Sequence, residues 1–404
     1  MKAVVFGPGR IGCGFVGQLL HASGYELVFV GRDAIADHLS RVGRYVVRLT
    51  DGCEDRDQEV PGVRALRTSD VEAVAAAIAE ADLVAVSVGP RNLPAIAPLV
   101  AAGLRRRKTP LNVIAFENCT DPGVVLRDAV FTCAPSLREA GHGFSGALVS
   151  RIVTQRIGEL EGDEPLVFLG DPTTSFIVHG PSLCEPFPHI EGLRAVDDYG
   201  AWATKKLYTF GAGHAAAAYF GALKGYRYVH SAIRDPEIRS AVLSAMEEGQ
   251  RGLEQRYGPE LAGDGAELEA IIARFENAAL NDPVSRVGRD PRRKLGPEDR
   301  LVGAAHLAEE AGVSPRRLAL AAAAAICFDC VGKPHAEAQE RSETVHTVSG
   351  LDPQSGLGRQ VSEAFTRIAE WREADNVLLS LKELVWSWAR CPLMPQPVQL
   401  RKLG

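Results

Sequence analysis

Six residues near the start of this 404-residue chain, Gly7-Pro8-Gly9-Arg10-Ile11-Gly12, have the types and spacing to hold a pyrophosphate. The apolar run from Lys2 to Phe6 enters them and a helix-forming stretch from Cys13 to Leu20 leaves them, so the turn joins a strand to a helix start. Amides at a helix N-terminus point at anions and favour them. Gly7 permits the turn, Gly9 lets the backbone approach the phosphates because no Cβ intervenes, and Gly12 lets helix and strand pack closely. Arg10 and Ile11 belong to the same turn. Ser23-Gly24 then ends the helix and Glu26 to Val30 forms a second buried strand, completing a βαβ unit of about thirty residues. These observations imply a dinucleotide site.

The end of the second strand discriminates between nicotinamide cofactors, because an acid there accepts hydrogen bonds from a ribose 2′-hydroxyl and repels a 2′-phosphate. The chain has Gly31-Arg32-Asp33. Gly31 occupies the place of the acid, and Arg32 offers a planar guanidinium suited to phosphate. NADP(H) is therefore expected in preference to NAD(H). The competing reading makes Arg32 a solvated charge and leaves the ribose to Asp33.

The βα alternation continues beyond this unit. Asp70 to Ala81 reads as helix, Leu83 to Val88 as strand, Ile96 to Leu104 as helix and Leu111 to Phe116 as strand. Parallel strands alternating with helices define a doubly wound, Rossmann-type sheet. Val88, and Asn118 after Glu117, then lie at strand C-terminal ends, where open α/β sheets bind ligands. Val88 is expected beside the cofactor, and Asn118 beside the substrate or the nicotinamide ribose. Residues 145–200 are richer in proline, glycine and β-branched residues. Leu166 to Leu169 and Phe176 to Val178 read as antiparallel additions bridging two domains. From Tyr199 onward the helical period dominates, over 200–230, 235–257, 265–277, 298–312, 315–328, 357–370 and 375–390. The expected organisation is a Rossmann-type domain over 1–198, an all-helical domain over 199–391 and a basic tail over 392–404.

Hydrophobic residues make up 46% of the chain and charged residues 24%, enough for two domains with their own cores. A net charge of −6 speaks against a nucleic-acid partner. No apolar run is long enough to cross a bilayer, and Met1 leaves no room for a leader before the first strand, so a cytoplasmic protein is expected, with no membrane partner. Eight scattered cysteines read as free thiols, and Cys327-Phe-Asp-Cys330 lacks the second ligand pair of a metal site, so no metal is expected.

The segment Lys205-Lys206-Leu207-Tyr208-Thr209-Phe210-Gly211-Ala212-Gly213-His214 carries a specific resemblance. With the N-terminal GxGxxGxGF pattern, Ile114 to Asn118, Ser150 to Val153, Ala245 to Glu248, Arg274 to Asn277, Arg286 to Arg289 and Arg293 to Leu295, it makes the chain similar to the polyol-specific long-chain dehydrogenases, most closely their mannitol-1-phosphate 5-dehydrogenase branch. That family carries a K-x4-N-x2-H signature. The resemblance implies that Lys206 is the general base and that His214 holds the reacting oxygen. Removing hydride from a secondary alcohol requires its proton to leave, and a buried lysine near a cationic nicotinamide is shifted toward neutrality. Lys205 is expected to be an exposed neighbour. In a regular helix Lys206 and His214 would lie about 12 Å apart along the axis and roughly 80° apart in direction, with Gly211 and Gly213 able to bend the helix between them.

Two substrate-facing positions depart from the family. Gly211 replaces the asparagine of the signature, removing a donor to the developing alkoxide, and Ser150 replaces an aspartate before Arg151. Substrate contacts are expected at Asn118, Ser150, Arg151 and Gly211. A basic cluster around Arg286 and Arg300 offers a phosphate clamp, with Arg289, Arg293 and Lys294 expected to approach the substrate. The leading reading is an NADP(H)-dependent oxidoreductase acting on a polyol, sugar phosphate or sugar derivative. The alternatives are a tailoring oxidoreductase or cofactor-retaining epimerase on a nucleoside or sugar-containing metabolite, and a non-catalytic dinucleotide-binding protein. The expected partner is a small-molecule substrate; a monomer is the default, with a dimer possible.

Overall fold

The computed structural model describes residues 1–329 and 338–373, and the chain divides into two units. The first comprises Met1–Thr204 with Asn277–Leu280, the second Lys205–Glu276 with the residues from Asn281 onward. The expected 392–404 tail, the 375–390 helix and Cys330 lie outside the described residues.

Twelve strands build the first unit: β1 (Lys2–Phe6), β2 (Glu26–Gly31), β3 (Arg44–Thr50), β4 (Asp55–Pro61), β5 (Arg64–Arg67), β6 (Leu83–Val86), β7 (Asn112–Ala115), β8 (Gly143–Val149), β9 (Val153–Ile157), β10 (Val167–Gly170), β11 (Phe176–His179) and β12 (Leu193–Val196). Eight form one sheet in the order β12-β11-β8-β7-β6-β1-β2-β5. From β5 across to β8 every pairing is parallel; β11 then runs antiparallel to β8. The chain leaves β1 toward β2 on one side and later returns on the other to form β6, so the order reverses beside β1. That is where such sheets bind ligands.

The alternation of β1 explains its unbroken apolar run. Ala3 and Val5 pack with Phe15, Leu19 and Phe29 on one face, while Val4 and Phe6 pack with Val84, Val86 and Val113 on the other. Both faces of the strand are buried, as a parallel sheet requires.

The other four strands form a second sheet, in the order β4-β3-β10-β9. β10, expected as an antiparallel addition to the main sheet, lies here, parallel to β3 and antiparallel to β9. β4 is polar and exposed except at Val60, so it carries no hydrophobic alternation; its partner β3 specifies it instead. Arg48 lies opposite Asp57 and grips both carboxylate oxygens at 2.7 Å.

The described part of the second unit is helical. Asp235 caps the helix Pro236–Tyr257 by accepting from the amides of Glu237 and Ile238, and Asp264 caps Gly265–Phe275 through the Glu267 amide. The helices Val302–Glu310, Arg316–Asp329 and Gly356–Glu373 fall where helical period is evident; Ala338–Ser349 is a further helix without such a signal. Gly213 permits close helix packing, since a Cβ there would meet the Met246 sulfur at 2.4 Å.

Candidate active site

In the first unit the three turn glycines meet three different constraints. Gly7 has φ +85°, and a Cβ on it would lie 2.3 Å from the Ser87 carbonyl oxygen. At Gly12 a Cβ would lie 2.0 Å from the Gly7 carbonyl oxygen and 2.8 Å from Ser87 Oγ. At Gly9 it would meet nothing within 4 Å. Gly7 and Gly12 are therefore required by the chain's own packing, whereas Gly9 keeps the outer side of the turn open for a phosphate to approach. These residues fit a dinucleotide. Ser87, just after β6, donates from Oγ to the Gly7 carbonyl at 3.1 Å, tying the turn to the neighbouring strand.

The helix after the turn begins as a π-helix, Gly12–Gly17, and Arg151 braces it. Buried with 4% of its surface exposed, Arg151 donates from Nη1 to the Gly14 carbonyl at 3.0 Å and to Gln18 Oε1 at 2.8 Å, and from Nε to the Thr173 carbonyl at 2.7 Å. Its guanidinium lies over the Phe15 ring. Burial pulls its pKa down to about 10. Ser150 precedes it, half-buried. Arg10 donates from Nη1 to the Thr154 carbonyl at 3.1 Å, and Ile11 packs on the core beneath the turn.

Beyond β2, Arg32 is exposed and makes no hydrogen bond or ion pair among the described residues. It heads the helix Asp33–Val42, with Asp33 in the first turn, where a carboxylate complements the helix dipole. At the ends of β6 and β7, Val88 is half-buried and Asn118 exposed. The residue between β7 and Asn118 organises this edge: Glu117 accepts the Gly89 amide at 2.7 Å and also the Val88 amide, while burial raises its pKa to about 7. An acid following a buried strand was the available signal for Glu117, and it was not singled out as a site residue.

In the second unit, Lys206 closes the helical segment Tyr199–Lys206, and His214 lies in Ala212–Leu223. The helix between them is not regular. Leu207–Gly211 is a π-helix, which corrects the expected geometry. A π-turn accommodates one extra residue, so eight positions act as seven and the two directions differ by only about 20° over two turns. Idealised counting therefore aligns the directions of Lys206 and His214.

Lys206 has no hydrogen-bond or ion-pair partner among the described residues. Burial, followed by the Arg300 and Arg274 cations, pulls its amine down to about 8. Lys205 is not the exposed neighbour expected. Only 8% exposed, it pairs with Glu267 Oε2 at 2.8 Å, a carboxylate on the helix Gly265–Phe275 that faces it. The adjacent lysines are thereby distinguished, one neutralised by a partner and the other left without one.

His214 stacks on Phe275, with centroids 4.8 Å apart, and its Nε2 donates to Asp282 Oδ2 at 3.2 Å. Burial lowers the imidazole pKa against the pull of Asp282, leaving a neutral ring whose Nδ1 is the acceptor. Asp282 is itself buried. Although burial opposes its charge, hydrogen bonds from His214 and a two-pronged grip by Arg286 at 2.6 Å hold its carboxyl at about 2. Neither Asp282 nor its pairing with Arg286 was identified as part of the site, although their i,i+4 spacing was available.

The basic cluster is divided by the fold. Arg289 and Arg293 are exposed, the first bonded to the Arg286 carbonyl and the second to Asp299 at 3.4 Å. The buried Lys294 amine donates to the carbonyls of Val287 and Arg289 at the end of the short helix Val284–Val287. At Gly211 a Cβ would meet Leu207 Cδ1 and the Lys206 carbonyl oxygen at 3.5 Å and Arg300 Cβ at 3.7 Å, all ordinary contacts, so sterics do not demand glycine there. Among the described residues no group of three or more His, Cys, Asp or Glu side chains is placed to hold a metal ion, and no helix is long and apolar enough to cross a membrane.

Two family models match the chain, the mannitol dehydrogenase Rossmann domain over residues 1–192 and the mannitol dehydrogenase C-terminal domain over 198–356. The chain belongs to the mannitol dehydrogenase family. It is 40% identical to a mannitol-1-phosphate 5-dehydrogenase of Bacillus licheniformis over 347 residues, covering 83% of this chain and 90% of that one. It is 36% identical to one of Brevibacillus brevis over 387 residues, covering 92% and 99%. In fold it is similar to Pseudomonas fluorescens mannitol 2-dehydrogenase, solved as a ternary complex with NAD and D-mannitol, with a TM-score of 0.75 at 17% identity and coverage of 96% and 94%. A D-sorbitol dehydrogenase has a TM-score of 0.72 at 19% identity, covering 93% of each chain. The mannitol dehydrogenase family assignment places both motifs, the glycine turn and the Lys206 segment, within matched domains.

Proposed function

We propose that this member of the mannitol dehydrogenase family is an NADP(H)-dependent oxidoreductase that interconverts a secondary alcohol and a ketone on a polyol or sugar phosphate. When bound, the nicotinamide supplies the acceptor or donor of hydride. The open turn at Gly9 and the unpaired Arg32 support dinucleotide binding, with the guanidinium meeting a 2′-phosphate.

The observation that carries the reading is Lys206, a lysine with no partner among the described residues whose amine is pulled down to about 8. Such an amine accepts the hydroxyl proton during oxidation and returns it during reduction. Idealised counting aligns His214 with Lys206 in direction, and its Nδ1 accepts a hydrogen bond from a substrate hydroxyl. Asp282, fixed by Arg286, holds the ring in that tautomer. Identity of 40% to a mannitol-1-phosphate 5-dehydrogenase makes mannitol 1-phosphate the first substrate to try.

The test is coenzyme reduction followed at 340 nm with mannitol 1-phosphate and either NADP+ or NAD+. Turnover that falls by about 100-fold or more in Lys206→Ala, with unchanged coenzyme binding, supports the assignment. Full activity in that variant refutes it.

A further inference from the structure

Among the described residues, Arg300 is the one charged group that bears electrostatically on Lys206, His214 and Lys294 together, depressing the pKa of each. It is 8% exposed, and its Nε is held by Asp299 Oδ1 at 2.7 Å. Its Nη2 is buried and has no acceptor among the described residues. Leaving a charged donor buried and unpaired is costly, and such groups find a partner. The side-chain root of Arg300 lies beside Gly211: a Cβ at 211 would stand 3.7 Å from Arg300 Cβ and 3.5 Å from the Lys206 carbonyl oxygen. A side chain would fit at 211, yet the chain has none.

We propose that Arg300, through Nη2, donates to the reacting oxygen of the substrate and so supplies the donor that residue 211 lacks. This rests on the oxidoreductase reading. In the reductive direction the carbonyl carbon accepts hydride, the π-electron pair moves onto oxygen, and that oxygen then takes a proton from the Lys206 ammonium. Oxidation runs the same steps backward. The charge on oxygen is greatest at the transition state, where a fixed guanidinium stabilises it most. The same cation keeps the neighbouring amine from holding its proton too tightly, which links the two groups.

The experiment uses Arg300→Gln, Gly211→Asn and the double variant, with kcat and KM measured on the alkaline plateau for mannitol 1-phosphate and for mannitol. Expected is a fall in kcat of about 100-fold for Arg300→Gln on both substrates, with KM changed less than about threefold, and recovery of about tenfold when Gly211→Asn restores an amide donor. In cofactor-free protein, NMR titration of 13C-methylated lysines, with Lys206 assigned from Lys206→Arg, should show the amine pKa rising in Arg300→Gln. An unchanged kcat and an unchanged titration overturn the proposal. So does a loss confined to KM for the phosphorylated substrate, which makes Arg300 a phosphate contact. If circular dichroism shows that Arg300→Gln has lost its fold, Arg300→Lys replaces it: a kcat reduced at least about tenfold supports the proposal and an unchanged kcat refutes it. Wild-type protein that turns over neither of these nor any of a panel of polyols and sugar phosphates refutes the oxidoreductase reading itself, whereas normal turnover in the Arg300 variants refutes only the role of Arg300.

Discussion

Gly31 lies against Pro8: a Cβ at residue 31 would stand 2.7 Å from the proline Cγ and 2.9 Å from its Cδ. The proline of the glycine turn therefore bars any side chain from the end of β2, where an acid would read a ribose hydroxyl. The proposed NADP(H) preference then rests on the next residue, Arg32. Arg32→Ala should weaken NADPH binding by about 10- to 100-fold, the worth of a charge-assisted bond, and leave NADH within about threefold. Fluorescence titration with both coenzymes checks this; equal losses for the two would remove Arg32 from phosphate recognition.

The glycine turn separates folding from binding. Gly12→Ala drives a methyl into the Gly7 carbonyl and should lower the melting temperature, because backbone cannot move aside cheaply. Gly9→Ala meets no atom of the chain, so its melting temperature should match wild type while dinucleotide affinity drops by at least about tenfold. Thermal melts alongside calorimetric titration distinguish the two. Unchanged affinity in Gly9→Ala would show that the phosphates lie elsewhere.

With Lys206 in the proposed acid/base role, its amine should set the pH dependence. Its pKa is lowered from 10.5 to about 8, so alcohol oxidation, which needs the free amine, should rise through an inflection near 8, and ketone reduction, which needs the ammonium, should fall through the same value. Because the ammonium is disfavoured in the fold, its penalty on stability is full below about 8 and disappears as pH approaches 10.5. Profiles of kcat in both directions test the paired inflections; a single common slope in both directions would point to another group.

Glu117 makes an opposite prediction for stability. Its pKa is raised from 4.5 to about 7, so the fold bears the cost of the buried charge above about 7 and sheds it as pH falls toward 4.5. Glu117→Gln keeps an acceptor for the Gly89 amide without the charge. Its melting temperature should exceed wild type at pH 8.5 and match it at pH 5. A variant less stable at both values would mean that the carboxylate's hydrogen bonds outweigh its desolvation.

The dinucleotide turn, the parallel strands β1, β2, β6 and β7 and most of the longer helices were legible in residue order, because each depends on local chemistry, whereas the parallel strands β5 and β8 carried no such signal. β1 must be apolar on both faces, Gly7 must adopt a left-handed backbone, and helices declare themselves by their period. β4 was not legible, since a polar exposed strand is specified by the arginines opposite it rather than by its own pattern.

Residue order alone thus determined the family, the cofactor turn and the presence of Lys206 and His214 in one segment. Only the tertiary structure distinguished the two adjacent lysines: Glu267 neutralises Lys205, and no partner reaches Lys206 among the described residues. It also decided that a π-turn interrupts the helix between Lys206 and His214, and that the Lys294 amine is bonded to carbonyls. The physical reason is the same in each case. Whether a charge is available for chemistry depends on what lies within hydrogen-bonding reach, and those neighbours come from distant parts of the chain or from a break in helical regularity.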